Sequence, residues 1–329
     1  MPSVIDMRTG IAIAGTILVD KINEISVYPN AGELTKIRSA SLSVGGLVPN
    51  DGVDLKRIKP TIPVYAIGKV GADAEGAYVV ETLQKNGVNT DGIIVDENGK
   101  TSFTEVMSVA GGQRTFFTYA GVCADFGFSD FDFDNINAKM LHLGYFLLLD
   151  KIDDGDGVQV LKEAKKRGIK TSIDLVSENS GRYSLVLPCL PYVDNLIINE
   201  TEAGSLCQIP PTKENLLDVV KKLKEYGVRE RVIVHTPEMG ICYDGKNITI
   251  LASYSLPTGY IKGTTGAGDA FCSGALMGIY EEKSDEEILR MATVSATCSL
   301  RTADATSGIE TYEKMNEFCK QFKRKEVCL

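Results

Sequence analysis

The sequence predicts an α/β fold with a doubly wound, mostly parallel central sheet flanked by helices, together with a small second β-sheet. Short apolar strand-like segments alternate with amphipathic helical segments through the C-terminal two thirds of the chain. Repeated units of this kind bury their strands between two layers of helices, which favours a parallel sheet. Two other segments alternate polar and apolar residues without a helical period, which is typical of hairpin strands.

The first strands of the main sheet are predicted at two short apolar segments. Residues 10–15 and 63–68 are almost entirely apolar and are bounded by glycine or proline, as strands buried on both faces usually are. Apolar residues then recur at helical spacing, which predicts a helix over residues 72–85 that ends near Gly87.

The same alternation of strands and helices continues to the C-terminal end. Short apolar segments mark the strands, and apolar residues at helical spacing mark the helices between them. Strands are predicted at residues 141–147, 170–174, 196–199 and 231–235, and helices at residues 158–167, 215–226, 285–297, 312–323 and from Gly266 onwards.

Two segments interrupt this alternation and are predicted to form hairpin strands outside the main sheet. Residues 18–44 and 102–119 alternate polar and apolar side chains, the second around Gly111 and Gly112. Ligands of open α/β sheets bind at the carboxyl ends of the strands, so a small inserted sheet could cover that edge as a lid.

The chain is predicted to form a single domain, because no internal repeat or low-complexity linker divides it. The domain is expected to span residues 1–329, with the lid inserted at about residues 16–45 and 99–122. A length of 329 residues with 43% hydrophobic residues is sufficient for a sizeable core.

The charge of the chain argues against a nucleic-acid surface. The formal net charge is −9, and the sequence has no long basic block beyond residues 323–325. An anionic ligand must therefore be held by a local site.

Cysteine and histidine usage indicates neither a disulfide framework nor a zinc framework. The eight cysteines form no C-x-x-C pair, and His142 and His235 are the only histidines. The start of the chain does not resemble a secretory signal, and no apolar run reaches about 18 residues. No membrane contact is expected, and a cytoplasmic location fits best.

The most informative segment is the glycine-rich stretch at residues 263–269, which runs into an apolar helical segment. Gly266 and Gly268 let backbone N–H groups approach a bulky anion, and a helix that begins there adds unpaired amides and its positive dipole end. Asp269 would lie beside the anion, where it could accept the proton of a hydroxyl that receives a phosphoryl group. The alternative is a tight turn whose acid only complements the helix dipole.

Residue spacing excludes two other phosphate loops. A dinucleotide fingerprint that starts at Gly266 would need glycine at the position of Phe271. The Gly-Lys-Thr run at residues 99–101 lacks the first glycine of a P-loop, because Ile94 stands there.

Four motifs together resemble those of the ribokinase-like, or PfkB, family of carbohydrate and nucleoside kinases. Residues 264–269 match the end of the family pattern D-T-x-G-A-G-D, and residues 45–50 resemble its G-G-x-x-x-N motif. Residues 68–76 resemble G-x-x-G-x-D-x-x-G, and residues 199–202 resemble N-x-x-E. The resemblance runs nearly end to end, so it is far more specific than any single loop.

The resemblance implies catalytic roles for the glycine-rich loop. Asp269 is expected to be the general base. The backbone amides of Gly266, Ala267 and Gly268 are expected to form an anion hole for the transferred phosphoryl group. Thr264 is expected to contact the bound ATP.

The resemblance also implies a sugar-binding set near the N-terminus. Asp20 stands where the family places an acid that accepts hydrogen bonds from substrate hydroxyls, although it could be a charged residue of an exposed strand. Gly45 and Gly46 would let the backbone pass close to the sugar, and Asn50 would reach its hydroxyls. A simple turn is the alternative explanation of the glycine pair.

Asn199 and Glu202 are expected to organise Mg²⁺, through water, against the phosphates of ATP. The alternative is that the two residues form an ordinary capping box at a helix start. Arg114 falls where the family often has an arginine that could reach substrate or phosphate, although an exposed strand arginine is equally consistent.

Two positions depart from the family pattern. Gly263 replaces the first acid of D-T-x-G-A-G-D, so a monovalent-cation requirement is not implied for this chain. Residues 235–240 keep only the last glycine of the family's T-x-G-x-x-G turn, so nucleotide contacts by this segment are not implied either.

The implied function is ATP- and Mg²⁺-dependent phosphorylation of a small carbohydrate. One alternative is a nucleoside kinase in which Phe116, Phe117 or Tyr119 stacks on a base. Another is a sugar-binding regulator that has lost catalysis. The sequence does not identify the sugar, and the lid could pair two copies of the chain as a homodimer.

Overall fold

The computed structural model describes residues 8–109, 114–179 and 181–327. The predicted turn at Gly111 and Gly112 lies outside the described residues, as do the first residues of the chain and Cys328.

Within the described residues, the strands form two separate sheets, one of nine strands and one of four. Their bounds are β1 (Ile11–Gly15), β2 (Leu18–Ile25), β3 (Ile37–Gly45), β4 (Val64–Gly71), β5 (Asn89–Asp96), β6 (Ser102–Val109), β7 (Arg114–Tyr119), β8 (Met140–Phe146), β9 (Lys170–Leu175), β10 (Asn195–Asn199), β11 (Arg231–His235), β12 (Met239–Tyr243) and β13 (Ile248–Ala252).

The main sheet has the strand order β13-β12-β11-β10-β9-β8-β1-β4-β5. Every neighbouring pair is parallel except β11 with β12 and β12 with β13, which are antiparallel. All residues of β1 are buried, as expected for a strand covered on both faces. The predicted fold class is confirmed.

Helices cover both faces of the main sheet. Helices α1, α2 and α6 to α8 pack on the face that contains Ile11 and Ile13, and helices α3 to α5 pack on the face that contains Ala12 and Ala14. The bounds of the helices are α1 (Leu47–Ile58), α2 (Ala74–Lys85), α3 (Gly157–Lys166), α4 (Glu200–Cys207), α5 (Leu216–Glu225), α6 (Ala267–Tyr280), α7 (Asp285–Ser299) and α8 (Tyr312–Cys319).

The second sheet is built from the two segments that were predicted to lie outside the main sheet. Its order is β3-β2-β6-β7, with β2 and β6 parallel and the outer pairs antiparallel. Large apolar side chains are exposed on this sheet, among them those of Ile37, Leu42, Phe116 and Phe117. These exposed side chains leave the second sheet with apolar surface that its own strands do not cover.

Helix α1 is the main element that the sequence patterns did not predict. Gly46, immediately before it, has a φ of 83°, and a Cβ there would lie 2.7 Å from the carbonyl oxygen of Thr16. The helix buries Asn50, Asp51 and Asp54 together with its apolar residues. Buried polar residues interrupt the regular spacing of apolar residues by which a helix is predicted. From the sequence, residues 45–50 therefore indicate only a glycine turn followed by a binding residue.

The structure contains no helix, within its described residues, that is long and apolar enough to span a membrane.

The centre of the main sheet should carry much of the stability of the fold. Leu143 in β8 is fully buried, so Leu143→Ala is expected to lower the free energy of unfolding by about 2–5 kcal/mol. Leu42→Ala is the matched control, because Leu42 lies on the second sheet with 44% of its surface exposed. Urea unfolding of both variants measures the difference, and equal losses would contradict the assigned core.

Candidate active site

The candidate site lies where the carboxyl ends of β8, β9 and β10 meet the start of α6. A cavity of about 190 Å³ is lined there by Asp174, Asn199, Gly268 and Asp269, among others. A second cavity of about 440 Å³ shares Asn199, Gly268 and His235 with the first, and its lining mixes polar residues with apolar ones such as Leu256 and Phe271. Two adjoining cavities at this edge fit the place where open α/β sheets bind ligands.

The start of α6 presents free backbone amides to these cavities. Gly266 has a φ of 76°, and a Cβ there would lie 2.5 Å from the Cβ of Ala305, so the turn requires glycine. Among the described residues, nothing accepts a hydrogen bond from the amides of Gly266 or Gly268. The amide of Ala267 donates to the carbonyl oxygen of Thr264 over a long 3.3 Å. Unpaired amides at a helix start form a local anion site.

Asp269, in the first turn of α6, is a buried carboxylate that is held by two side-chain donors. Its side chain is 6% exposed. Its Oδ2 accepts a hydrogen bond from Asn50 Nδ2 at 2.7 Å, and the Tyr145 hydroxyl donates to the same carboxylate at 2.9 Å.

The pKa of Asp269 is raised to about 6, mainly by burial and then by the charge of Asp174. The hydrogen bonds from Asn50 and Tyr145 act in the opposite direction, because they stabilise the ionised form. A carboxylate with this pKa is ionised near neutral pH and can still accept a proton.

Tyr145 is a site residue that the sequence patterns did not identify. It is the penultimate residue of β8 and has a φ of 58°. Its amide donates a hydrogen bond to Asp174 Oδ1 at 2.7 Å. Burial is the main cause that raises the pKa of the Tyr145 hydroxyl well above its usual value, so the hydroxyl remains a donor to Asp269. A tyrosine at the carboxyl end of a buried strand was the available signal.

Asp20, in β2, lies close enough to Asp269 for their charges to interact. Burial, followed by the charge of Asp269, raises the pKa of Asp20 to about 6. A Cβ on Gly45 would lie 2.5 Å from Asp20 Oδ2, so glycine at this position leaves room for the carboxylate. Gly46 lets the backbone turn into α1 beside Thr16, whose Oγ1 accepts a hydrogen bond from the Leu47 amide.

Asn50 lies at the site, and its side chain contacts the carboxylate of Asp269, whereas the sequence predicted that it would reach the sugar hydroxyls. Its side-chain nitrogen donates to that carboxylate, and its Oδ1 is buried without a partner among the described residues. The structure therefore brings Asp20, Asn50 and Asp269 together. In this arrangement, Asn50 orients Asp269 through its nitrogen, and only its oxygen is left for another donor.

Asn199 and Glu202 form the capping box that the sequence left open as an alternative. Asn199 Oδ1 accepts from the Glu202 amide at 2.9 Å, and Glu202 Oε2 accepts from the Asn199 amide at 3.0 Å. Ser177 donates to the other Glu202 oxygen at 2.8 Å, and burial is the main cause that raises the pKa of Glu202 to about 7. Both residues also line the smaller cavity. Since both carboxylate oxygens are already hydrogen-bonded, contact with Mg²⁺ through water fits these residues better than direct ligation.

Arg114, at the start of β7, connects the second sheet to the glycine-rich loop. Its guanidinium donates a hydrogen bond to Thr265 Oγ1, immediately before Gly266. Thr264, the preceding residue, lines the larger cavity. This contact brings the second sheet to the edge of the main sheet at which the cavities open.

The two departures from the family pattern have clear structural settings. His235 ends β11 before a tight hairpin, its ring packs against Phe271 at 4.6 Å, and burial lowers its pKa to about 4. A Cβ on Gly263 would lie 3.0 Å from the carbonyl oxygens of both Thr302 and Ala303. His235 therefore lines both cavities as an uncharged side chain. The backbone at Gly263 is closely packed.

Comparison with known proteins gives a consistent result. The chain matches the sequence profile described as "pfkB family carbohydrate kinase" over residues 11–312. It is 27% identical to ribokinase of Arabidopsis thaliana over 90% of this chain and 77% of that protein. It is 30% identical to fructokinase-2 of Oryza sativa subsp. japonica, over 69% of each chain.

A solved structure shares the architecture closely. The structure of Arabidopsis thaliana ribokinase complexed with ribose and ATP superposes with a TM-score of 0.83 at 25% sequence identity. The match covers 95% of this chain and 99% of that chain.

The raised pKa of Asp269 should make the stability of the fold depend on pH. The Asp269 carboxyl binds its proton more tightly in the folded state than in the unfolded chain. The stability that this proton contributes is therefore complete below about pH 4 and is lost as the pH rises through about 6. Asp269→Asn is expected to raise the free energy of unfolding at pH 8 by up to about 3 kcal/mol, since a tenfold change in proton affinity corresponds to about 1.4 kcal/mol. Urea unfolding of both proteins at pH 4 and pH 8 measures the effect.

The control for this experiment is Asp218→Asn, because Asp218 has an exposed side chain on α5. It should change the free energy of unfolding by less than about 0.5 kcal/mol at either pH. A variant Asp269→Asn that is no more stable than the wild type at pH 8 would contradict the assigned environment of Asp269.

Proposed function

The chain belongs to the pfkB family of carbohydrate kinases, and from that premise we propose that it transfers the γ-phosphate of ATP to a hydroxyl of a small carbohydrate, with Asp269 as the general base. One observation carries the assignment of the base. Asp269 is a buried carboxylate that lines the smaller cavity directly beside two unpaired backbone amides. A base and an anion site in contact are what transfer of a phosphoryl group to a hydroxyl needs.

The first step of the proposed mechanism is orientation of the acceptor hydroxyl. Asp20 accepts hydrogen bonds from the sugar, and Gly45 and Gly46 keep the backbone beside it free of side chains. Asn50 and Tyr145 hold Asp269 in one orientation, so its carboxylate is fixed before the sugar binds.

The second step is transfer of the hydroxyl proton to Asp269. The carboxylate is ionised near neutral pH because its pKa is about 6, and it accepts the proton as the acceptor oxygen attacks phosphorus. The amides of Gly266, Ala267 and Gly268 donate hydrogen bonds to the phosphoryl oxygens. To do so, the Ala267 amide gives up its long hydrogen bond to the carbonyl oxygen of Thr264.

The larger cavity is the proposed site of the nucleotide. Thr264 and the start of α6 form its phosphate end, and Tyr254, Leu256 and Phe271 are among the residues that form the rest of its wall. Asn199 lines both cavities and Glu202 lines the smaller one, and together they would hold the hydration shell of Mg²⁺. Mg²⁺, when bound with ATP, would supply charge that offsets the negative charge of the phosphates.

The second sheet is the proposed lid of a single domain that spans residues 1–329. Its Arg114 already contacts the glycine-rich loop through Thr265, so closure would exclude water from the transferred phosphoryl group. We also propose that the exposed apolar side chains of this sheet, such as Ile37 and Leu42, pair with a second copy of the chain.

The substrate class is proposed as a monosaccharide. The relatives are a ribokinase and a fructokinase, and the solved ribokinase is a complex with ribose and ATP. On the second sheet, the Tyr119 ring packs against Phe103 at 5.2 Å, so this aromatic residue is engaged in packing between strands. That contact argues against base stacking by Tyr119, whereas Phe116 and Phe117 are exposed.

Removal of the proposed base should abolish turnover without loss of binding. Asp269→Asn keeps the size of the side chain, so kcat is expected to fall by about 10² to 10⁴-fold while sugar and ATP still raise the melting temperature. ADP release with a panel of sugars and nucleosides gives kcat, and thermal unfolding with each ligand gives binding.

Asp54→Asn is the matched control, because Asp54 is also fully buried but lines neither cavity. It should keep turnover close to that of the wild type. Near-normal turnover by Asp269→Asn would refute the assigned base, whereas sugar binding without ADP release by the wild type would favour a regulatory protein.

The hydroxyl of Tyr145 should set the pH at which activity is lost on the acidic side. Tyr145→Phe removes a hydrogen bond that lowers the pKa of Asp269, so the pKa of the base rises and the acidic limb of log kcat/KM moves to higher pH. Tyr280→Phe is the control, because Tyr280 accepts a hydrogen bond from Gly10 far from the site. An acidic limb that stays in place in Tyr145→Phe would contradict the role of this hydroxyl.

A further inference from the structure

Three buried side chains with metal-ligating atoms converge beneath the smaller cavity. Asp51 comes from α1, His142 from β8 and Cys272 from α6, and their ligand atoms all lie within 4.8 Å of one another. All three residues are buried, with no more than 2% of their surface exposed. Cysteine spacing argues against a zinc framework of paired cysteines, but these three ligands come from elements far apart in the sequence.

The separation of the sulfur and nitrogen atoms fits a tetrahedral ion. Cys272 Sγ lies 3.5 Å from His142 Nε2. Zinc bonds of about 2.3 Å to sulfur and about 2.0 Å to nitrogen, at a tetrahedral angle, place these two atoms about 3.5 Å apart. The observed separation is therefore the one that a tetrahedral ion bound to both atoms requires.

The orientation of the His142 ring also fits metal ligation. Its Nδ1 lies 2.9 Å from Ser172 Oγ, which leaves Nε2 directed at Cys272. Metal-ligating histidines commonly use their second nitrogen in a hydrogen bond that fixes the ring. Ser172 is fully buried and therefore holds this orientation in place.

Asp51 supplies a second observation, because among the buried, unpaired carboxyls of α1 it is the one that lies in the cluster. Both of its carboxylate oxygens are buried and lack a hydrogen-bond partner among the described residues. A dry, unpaired carboxylate is costly, and buried charges in proteins are normally paired or bind metals. One divalent cation with the carboxylate of Asp51 and the thiolate of Cys272 forms a neutral group.

We propose that Asp51, His142 and Cys272 bind one divalent cation of the zinc class, a borderline-soft ion that accepts oxygen, nitrogen and sulfur ligands. The Cys272 thiol gives its proton to the solvent when the ion binds.

The fourth position of the ion faces the smaller cavity, which Cys272 and Asp174 both line. Asp174 Oδ2 lies 3.8 Å from His142 Nε2, close enough to accept a hydrogen bond from a water molecule on the ion. The cavity also provides the route by which the ion reaches the site.

The role that follows is structural support of the active site. The ion would join α1, β8 and α6, which carry Asn50, Tyr145 and Asp269 respectively. The site is distinct from the phosphate side of the cavity, where Asn199 and Glu202 form a capping box. The proposal depends on these ligands and not on the proposed function.

The test uses the full chain, freed of metal by dialysis against a chelator, with Co²⁺ as the spectroscopic probe. One equivalent of Co²⁺ is expected to give a thiolate-to-cobalt charge-transfer band and the visible absorption of a tetrahedral ion. One equivalent of Zn²⁺ should remove both signals. Competition with a chromogenic chelator then gives the affinity for Zn²⁺.

Variants assign the signal to its ligands. Cys272→Ser should abolish the charge-transfer band, and Asp51→Asn should weaken Zn²⁺ binding by about 100-fold or more. Ser172→Ala should weaken binding by about 10 to 100-fold, because it frees the His142 ring. The Co²⁺ spectrum of the wild-type chain tests the proposal even if one of these variants fails to fold.

Three control variants should keep the full signal. Asp54→Asn changes a second buried, unpaired carboxyl of α1, and Glu202→Gln changes the acid on the phosphate side. Cys298→Ser changes a thiol that lies 3.9 Å from Cys319 and could otherwise compete for the ion. Absence of tight Co²⁺ and Zn²⁺ binding by the wild type overturns the proposal. So does a signal that survives Cys272→Ser, or one that is lost in Cys298→Ser or Glu202→Gln.

Discussion

The candidate site depends on one electrostatic constraint: the Asp269 carboxylate must be buried and still be able to ionise. Burial and the charge of Asp174 raise its pKa, whereas hydrogen bonds from Asn50 and Tyr145 lower it. The resulting value of about 6 lies above that of an ordinary carboxylic acid but below neutral pH. Without the two donors, the same burial would favour the protonated acid, which cannot act as a base.

Close backbone packing makes this balance possible. A Cβ on Gly144 would lie 2.4 Å from Asp174 Oδ1, and a Cβ on Gly15 would lie 2.4 Å from the carbonyl oxygen of Gly144. Glycine at the ends of β1 and β8 therefore lets two strands and a carboxylate approach more closely than larger residues would. The backbone and the Asp174 carboxylate come this close because Gly15 and Gly144 carry no side chains.

Much of the fold could be predicted because parallel strands buried on both faces appear as short apolar runs. The strands that flank the site, β8 to β11, were all predicted in this way, and the alternation in β2 and β6 indicated the second sheet. The edge strand β5 and the antiparallel strands β12 and β13 were missed, as was α1, and α4 was anticipated only by the capping-box alternative at Asn199. In α1, Pro49 and Gly52 stand beside buried polar residues, so its sequence lacks the apolar stripe that marks a helix.

The sequence by itself determined the fold class, the family resemblance and the place of Asp269 in a glycine-rich helix start, because these depend on spacing along a few neighbouring residues. Only the tertiary structure decided that Asn50 and Tyr145 contact Asp269, and that His142 lies beside Cys272. Asn50 and Asp269 are 219 residues apart, and His142 and Cys272 are 130 apart. Such contacts depend on how helices pack on the sheet and on the register of its strands, which local spacing does not specify.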